Sequence, residues 1–301
     1  MKLCPPWLGL ATVPLISTSL AMPAIAAGAP EYSPFKLTVS SVTTQKASVG
    51  EDSLKRGTYQ FAFNAGMPLS KQWSIGASVG YDSLDYRWQT PDSDPRVLAN
   101  SVESFSSINR YKLGFSLMYR MDQHWLFMLA PKIQYTAANT ASLSDARSYG
   151  VVASAMHRFD SGNMLGVGFA YLNDIDEVRS IPYLAIRWQL ADNWTLANPF
   201  EAGFSGPAGL ELTYQASPEW QLGLGSSRRS QRILLADVDQ QTVEIEEWVS
   251  FLRAGWQISK QVRINGYLGY FFSGEMEVNQ PAVNLDIDNQ GAGALSFEVK
   301  F

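Results

Sequence analysis

Asn289-Gln-Gly-Ala-Gly-Ala-Leu-Ser-Phe-Glu-Val-Lys-Phe301 closes the chain, and its alternation decides the fold. Leu295, Phe297, Val299 and Phe301 fall on one side of a two-residue repeat, while Ala294, Ser296, Glu298 and Lys300 fall on the other. Successive side chains of a strand point to opposite faces, so this segment is a strand with one fully apolar face and one small or charged face. A half-buried sheet of a soluble protein or a barrel wall facing lipid would each satisfy it.

The preceding sequence repeats the unit. Tyr59, Phe61, Phe63 and Ala65 share a face, a polar turn follows at 68–72, and Trp73, Ile75, Ala77, Val79 and Tyr81 restart the alternation. The same order recurs around turns at 121–124, 160–163, 191–193, 217–219 and 259–261. With a weaker first strand at 35–41 and the closing strand, the chain reads as all-β: a transmembrane antiparallel up-and-down β-barrel of about 14 strands, or about 12 if 35–41 and 200–207 are loop. A barrel-closing strand made by Leu295, Phe297, Val299 and Phe301 resembles the last strand of bacterial outer-membrane barrels, which implies that the insertion machinery reads it.

Short turns alternate with longer polar connections, at 46–56, 84–108, 136–147, 173–180, 202–207, 227–243 and 273–290. Outer-membrane barrels keep tight turns in the periplasm and long loops outside, which puts both termini in the periplasm. Trp73, Trp125, Trp194 and Trp220 each follow a short turn directly. A soluble sandwich has no reason to hold tryptophan at one height, whereas a bilayer favours an amphipathic ring at the headgroups, so these four are expected to form a membrane-interface girdle. Trp188 and Trp256 would join it from the descending strands.

Residues 1–26 have the make-up of a secretory signal: Lys2, an apolar run from Trp7 to Leu20, and a small-x-small site at Ala24-Ile25-Ala26. The expected division is a signal peptide at 1–26, a short periplasmic segment at 27–33 and the barrel at 34–301. Cys4 is the single cysteine and lies in the signal, so the exported chain carries no disulfide and no thiol nucleophile. No later stretch supplies the roughly 20 apolar residues of a membrane helix. With 23 basic and 28 acidic residues, wholesale nucleic-acid binding is not expected.

Placing the apolar face outward leaves Lys36, Arg110, Lys112, Arg120, Lys132, Arg158, Arg187, Arg253, Arg263 and Lys300 in the lumen, against Asp82, Glu211 and Glu298. Of these, Lys112, Arg120, Lys132, Arg187, Glu211, Arg253 and Arg263 are the candidate lumen-lining residues. They make either a basic passage for small anionic solutes or a set of ion pairs that fills the barrel. The connections are acidic, with Asp92, Asp94, Asp174, Asp176, Glu177, Asp237, Glu244, Glu246 and Glu247 among them, and would face lipopolysaccharide or a partner. No calcium-loop spacing, metal site, cofactor motif or catalytic set is expected. His124 falls in a short turn and His157 near one, the wrong height for the rim chemistry of barrel enzymes.

The segment 191–199, Ala-Asp-Asn-Trp-Thr-Leu-Ala-Asn-Pro, followed by 209–225, Gly-Leu-Glu-Leu-Thr-Tyr-Gln-Ala-Ser-Pro-Glu-Trp-Gln-Leu-Gly-Leu-Gly, resembles the middle of an outer-membrane β-barrel family known only as a domain of unknown function, porin-like in architecture. The resemblance implies fold and location and carries no site residues. Outer-membrane fatty-acid transporters have a similar strand number, but the short stretch before the first strand leaves no length for their N-terminal plug. The expected function is thus a narrow channel or small-solute uptake protein with a basic lumen. The alternative is a structural or adhesive barrel with a closed lumen, whose acidic loops contact lipopolysaccharide or a partner.

Overall fold

The protein, as a computed structural model, describes residues 33–91, 95–98, 101–175, 177–198, 204–206 and 208–301. The expected signal peptide, residues 27–32 and the loop acids Asp92, Asp94 and Asp176 lie outside the described residues. The wall has 14 strands: β1 (Phe35–Val49), β2 (Asp52–Pro68), β3 (Trp73–Gln89), β4 (Ser107–Arg120), β5 (Trp125–Ala138), β6 (Arg147–Arg158), β7 (Met164–Asp174), β8 (Glu177–Ala191), β9 (Trp194–Ala197), β10 (Ala208–Gln215), β11 (Trp220–Ala236), β12 (Gln241–Gln257), β13 (Val262–Val278) and β14 (Gln290–Lys300). Each pairs antiparallel with its neighbours in sequence. Short strands Arg96–Val97 and Val102–Glu103 form a hairpin in one long connection, and Val283–Ile287 folds back on β13.

The quoted C-terminal strand closes the sheet. β14 pairs with β13 from Val262↔Val299 to Phe271↔Gln290, and with β1 from Lys36↔Lys300 to Thr44↔Ala292. The last ladder step joins Phe35 and Phe301, whose backbone N–H groups each donate to the other's carbonyl at 3.0 Å. Their rings stack with Phe63, with Phe35–Phe301 centroids 5.7 Å apart. Closure leaves neither end strand with an open edge, the requirement for backbone in hydrocarbon, where an unsatisfied polar group costs several kcal/mol.

The outward face is an apolar belt. Leu268, at mid-height, is 72% exposed, and Phe61, Val79, Phe115, Leu184, Leu224 and Leu252 are exposed around the same ring. An uninterrupted apolar ring of this kind is compatible with lipid, not with water. Below it, one turn chemistry recurs: Ser70, Asp122, Ser217 and Ser259 each accept hydrogen bonds from the backbone N–H groups two and three residues on. Such side-chain-to-backbone bonds fix a tight turn. The third residue is Trp73, Trp125 or Trp220 in three of these turns, so the turn itself sets the height of the ring.

Several strands are longer than the roughly ten to twelve residues a bilayer needs: β2, β3, β11, β12 and β13 each have 17. Much of the polar sequence expected as loop at 46–56, 227–243 and 273–290 is strand instead. The reason is visible along β12. Within the belt, Trp256, Leu252 and Trp248 point out and Arg253 points in; past Trp248, Ile245 and Val243 are buried inside while Glu246 and Glu244 take the outer face. The wall has left the lipid, so the polarity of the alternation inverts. The inward apolar residues, among them Val49, Leu54, Tyr86, Ile108, Ile233 and Met276, form one cluster that caps the lumen at the long-loop rim. The end of β11 reaches across to β5, with Leu234 pairing parallel to Ala137 and Thr140 Oγ1 donating to the Leu235 carbonyl at 2.5 Å.

The belt predicts that Leu268→Arg lowers the folding free energy by about 2–4 kcal/mol in lipid vesicles, the cost of a cation at the bilayer midplane. Urea titration of vesicle-inserted protein measures it; a change within about 0.5 kcal/mol would contradict a lipid-facing position for this residue.

Candidate functional site

Inward-facing residues divide the lumen into two unlike halves. On the β10–β14 side, Glu211 and Arg253 form a buried pair, Nε to Oε1 at 2.6 Å, and the guanidinium also donates to Gln221 Oε1 at 2.9 Å and Asn265 Oδ1 at 3.2 Å. Glycine makes room for this constellation: a Cβ on Gly223 would lie 2.0 Å from Glu211 Oε1, and one on Gly255 2.7 Å from Asn265 Oδ1. Above it sits an aromatic block. Phe204, carried inward by the connection between the short strands β9 and β10, is fully buried against Phe251, Tyr267 and Phe271.

On the β2–β5 side the wall is small and polar. Gln60, Ala62, Asn64, Ser78 and Lys112 point inward yet remain partly exposed, so water-sized space borders them. At the short-turn rim, where the two halves meet, Glu298 of β14 lies 3.8 Å from Lys36 of β1 and 3.3 Å from Lys300.

A polar layer crosses the lumen beneath the apolar cap. Arg56 of β2 donates to both oxygens of Glu247 of β12, at 3.0 and 2.6 Å. Lys112 Nζ lies 2.8 and 2.9 Å from the oxygens of Asp82, which Arg110 also reaches at 3.4 Å. Arg110 spans to Gln231 Oε1 of β11 at 3.1 Å, and Gln231 in turn hydrogen-bonds Tyr86. Arg56–Glu247, buried, bidentate and cross-barrel, is the kind of pair whose rupture is costly, because the surviving partner is left charged and unpaired.

Of the candidate lining residues, the structure brings Glu211 together with Arg253 and seats Lys112 on Asp82. Arg263 is half-buried nearer the short-turn rim and donates to Gln257 Oε1 at 2.7 Å. Lys132 lines a cavity of about 10 Å³ with Gln134, Ser148 and Leu172, enough for one water. Arg120 and Arg187 are exposed at the short-turn rim, apart from the cross-lumen layer. Trp73, Trp125, Trp194 and Trp220 are all exposed at that rim, with Trp220 stacked on Trp256 at 5.7 Å. Leu295, Phe297 and Phe301 face outward on β14, and Val299 is partly covered. His124 and His157 stack 5.8 Å apart beside the short turns.

Sequence reasoning did not assign Arg56, Arg229, Glu247, Tyr86 or Phe204 to the lumen. Glu247 and Arg229 fell in what read as acidic or polar connections; the alternation Val243, Ile245, Glu247, Val249 was the available signal. Glu177, Glu244 and Glu246 are likewise not free loop charge. Arg179 donates to Glu244 and, at 2.7 Å, to Glu177; Arg232 bridges the same two carboxylates, and Arg228 pairs with Glu246. The cluster ties β8 to the β11–β12 hairpin above the short strands β9 and β10, outside the apolar belt.

A family model described as Domain of unknown function (DUF6268) matches residues 71–284. No curated protein matches the chain. Among solved structures, a Pseudomonas aeruginosa FadL homologue aligns with a TM-score of 0.54 at 13% identity, covering 89% of this chain and 90% of that one. The Pseudomonas putida toluene transporter TodX gives a TM-score of 0.48 at 10% identity over 90% of each chain. An outer membrane channel from Pseudomonas putida F1 gives 0.46 at 10% identity over 92% of this chain and 100% of that one. At 13% identity the first likeness is one of fold, an outer-membrane type of β-barrel.

The β8 latch makes a pH prediction. Burial pushes the Glu244 carboxyl up, but hydrogen bonds from Arg179 and Arg232 outweigh it and bring the pKa from 4.5 down to about 2. A depressed folded-state pKa stabilises the fold above the unfolded value, and that contribution disappears as pH falls from about 4.5 towards 2. Hydrogen-exchange protection, taken relative to the unstructured rate at each pH, is therefore expected to fall at the upper ends of β8 and β11 over that interval, while the belt region of β12 and β13 stays protected. Glu244→Gln should reproduce the loss of protection at neutral pH; unchanged protection in both would contradict the latch.

Proposed function

The chain belongs to the family described as Domain of unknown function (DUF6268), and from that premise we propose that it is an outer-membrane channel for small solutes, narrow and with a basic lumen. The observation that carries this reading is the partly exposed inward row Gln60, Ala62, Asn64, Ser78 and Lys112, a small-residue path beside a stapled half-lumen. The cations of the lumen exceed its carboxylates, which favours anionic solutes by the same logic as charged rings in pores. Phe204 blocks the other half and rides on a connection rather than on the wall, so its removal widens the lumen without breaking a strand pair.

In this reading the chain is exported through a cleaved signal at 1–26 into a Gram-negative outer membrane, with the short-turn rim and both termini in the periplasm. Its partners are membrane lipid and lipopolysaccharide, the assembly machinery acting on β14, and small anions. It works without catalysis or cofactor. A second reading, a structural or adhesive barrel, draws on the apolar cap and the cross-lumen pairs; its acidic outer contacts are reduced by the pairing of Glu177, Glu244 and Glu246 with arginines.

Planar-bilayer recording of refolded protein separates the two. A channel should give small anion-selective steps, larger in Phe204→Ala. Silence from both proteins, each shown folded by heat-modifiable mobility, would overturn the channel and favour the structural barrel.

A further inference from the structure

Resting on the reading of the lumen as a solute path, we propose that the cross-lumen polar layer is a binding site for a small divalent oxyanion such as a dicarboxylate, with Arg229 as its principal ligand. Arg229 lies opposite Glu247 in the β11–β12 register, but both Glu247 oxygens are taken by Arg56. Both Asp82 oxygens are taken by Lys112, with Arg110 adding a third cation. Arg229 itself donates to the Phe204 carbonyl at 3.4 Å and lies over the Phe271 ring at 5.3 Å. Among the described residues, the carboxylates that Arg56, Arg110, Lys112 and Arg229 meet are Asp82 and Glu247, an excess of two positive charges in the layer.

The surroundings suit an incoming anion. Arg229 is enclosed by the barrel, yet its side chain keeps free surface, so it borders internal space rather than close-packed protein. Arg56 also lies over the Phe271 ring, 5.5 Å from its centroid, so the same aromatic ring contacts both guanidinium groups. An enclosed cation that shares the Glu247 carboxylate with Arg56 is under-compensated, and an oxyanion offsets that cost while accepting the guanidinium's paired N–H groups. The small-residue path ends at Lys112, beside Asp82 in this layer, and provides the approach from the short-turn rim.

Isothermal titration of succinate into the refolded full chain in micelles at low salt tests the site. Saturable binding is expected, weakened roughly ten-fold or more in Arg229→Gln, the loss of a charge-assisted hydrogen bond. Arg229→Lys should recover part of the affinity, and Arg110→Gln should weaken it independently if the first variant does not fold. No succinate heat from the folded wild-type barrel, or equal affinity in the wild type and every folded variant, overturns the site. Conductance without succinate binding would overturn the site and leave the channel; binding without conductance would do the reverse.

Discussion

Backbone hydrogen bonding in a medium without water is the constraint on which this structure depends. A sheet in hydrocarbon can have no edge, so its last strand must find its first, and β14 does so through both of its neighbours. The reciprocal bonds between Phe35 and Phe301 complete the ladder at the very end of the chain. Everything else about the wall follows from closure: the outward residues must suit lipid, and the inward ones must fill or line the space that a ring of 14 strands encloses.

That enclosed space is handled in two ways. One side is filled by large groups that satisfy each other, the Glu211–Arg253 pair and the block around Phe204. The facing side keeps small polar residues and stays partly open. The Arg56–Glu247 bridge joins the two sides under the apolar cap, making the upper lumen behave as a core rather than a pore mouth. Large, mutually satisfied groups and small, partly exposed ones are therefore separated across the barrel rather than interleaved.

The belt was legible in the sequence because two periodicities coincide there: strand alternation and the turn that places tryptophan. Ser70-Lys-Gln-Trp73 and Asp122-Gln-His-Trp125 announce the rim, its turn chemistry and the next strand together. The wall above the lipid was not legible as wall. There the outer face meets water, so Glu244 and Glu246 alternate with Ile245 and Val243 in the opposite sense, and a reading that requires apolar residues outside takes the stretch for loop. Parity made the inner face legible within the belt, placing Lys112, Asp82, Glu211 and Arg253 in the lumen without choosing their partners. Arg56 meets Glu247 across the barrel, 191 residues away, and parity alone cannot choose such partners.

The central claim is a half-open lumen, entered from the short-turn rim by the small polar path and narrowed beneath the cap. Because the exported chain is expected to lack cysteine, Ser78→Cys places a lone reporter in the proposed path. A membrane-impermeant maleimide is predicted to label it when supplied from the periplasmic side of permeabilised cells, and far more slowly from outside intact cells. Failure to label from either side of a folded barrel, or equal rates from both, would contradict the account.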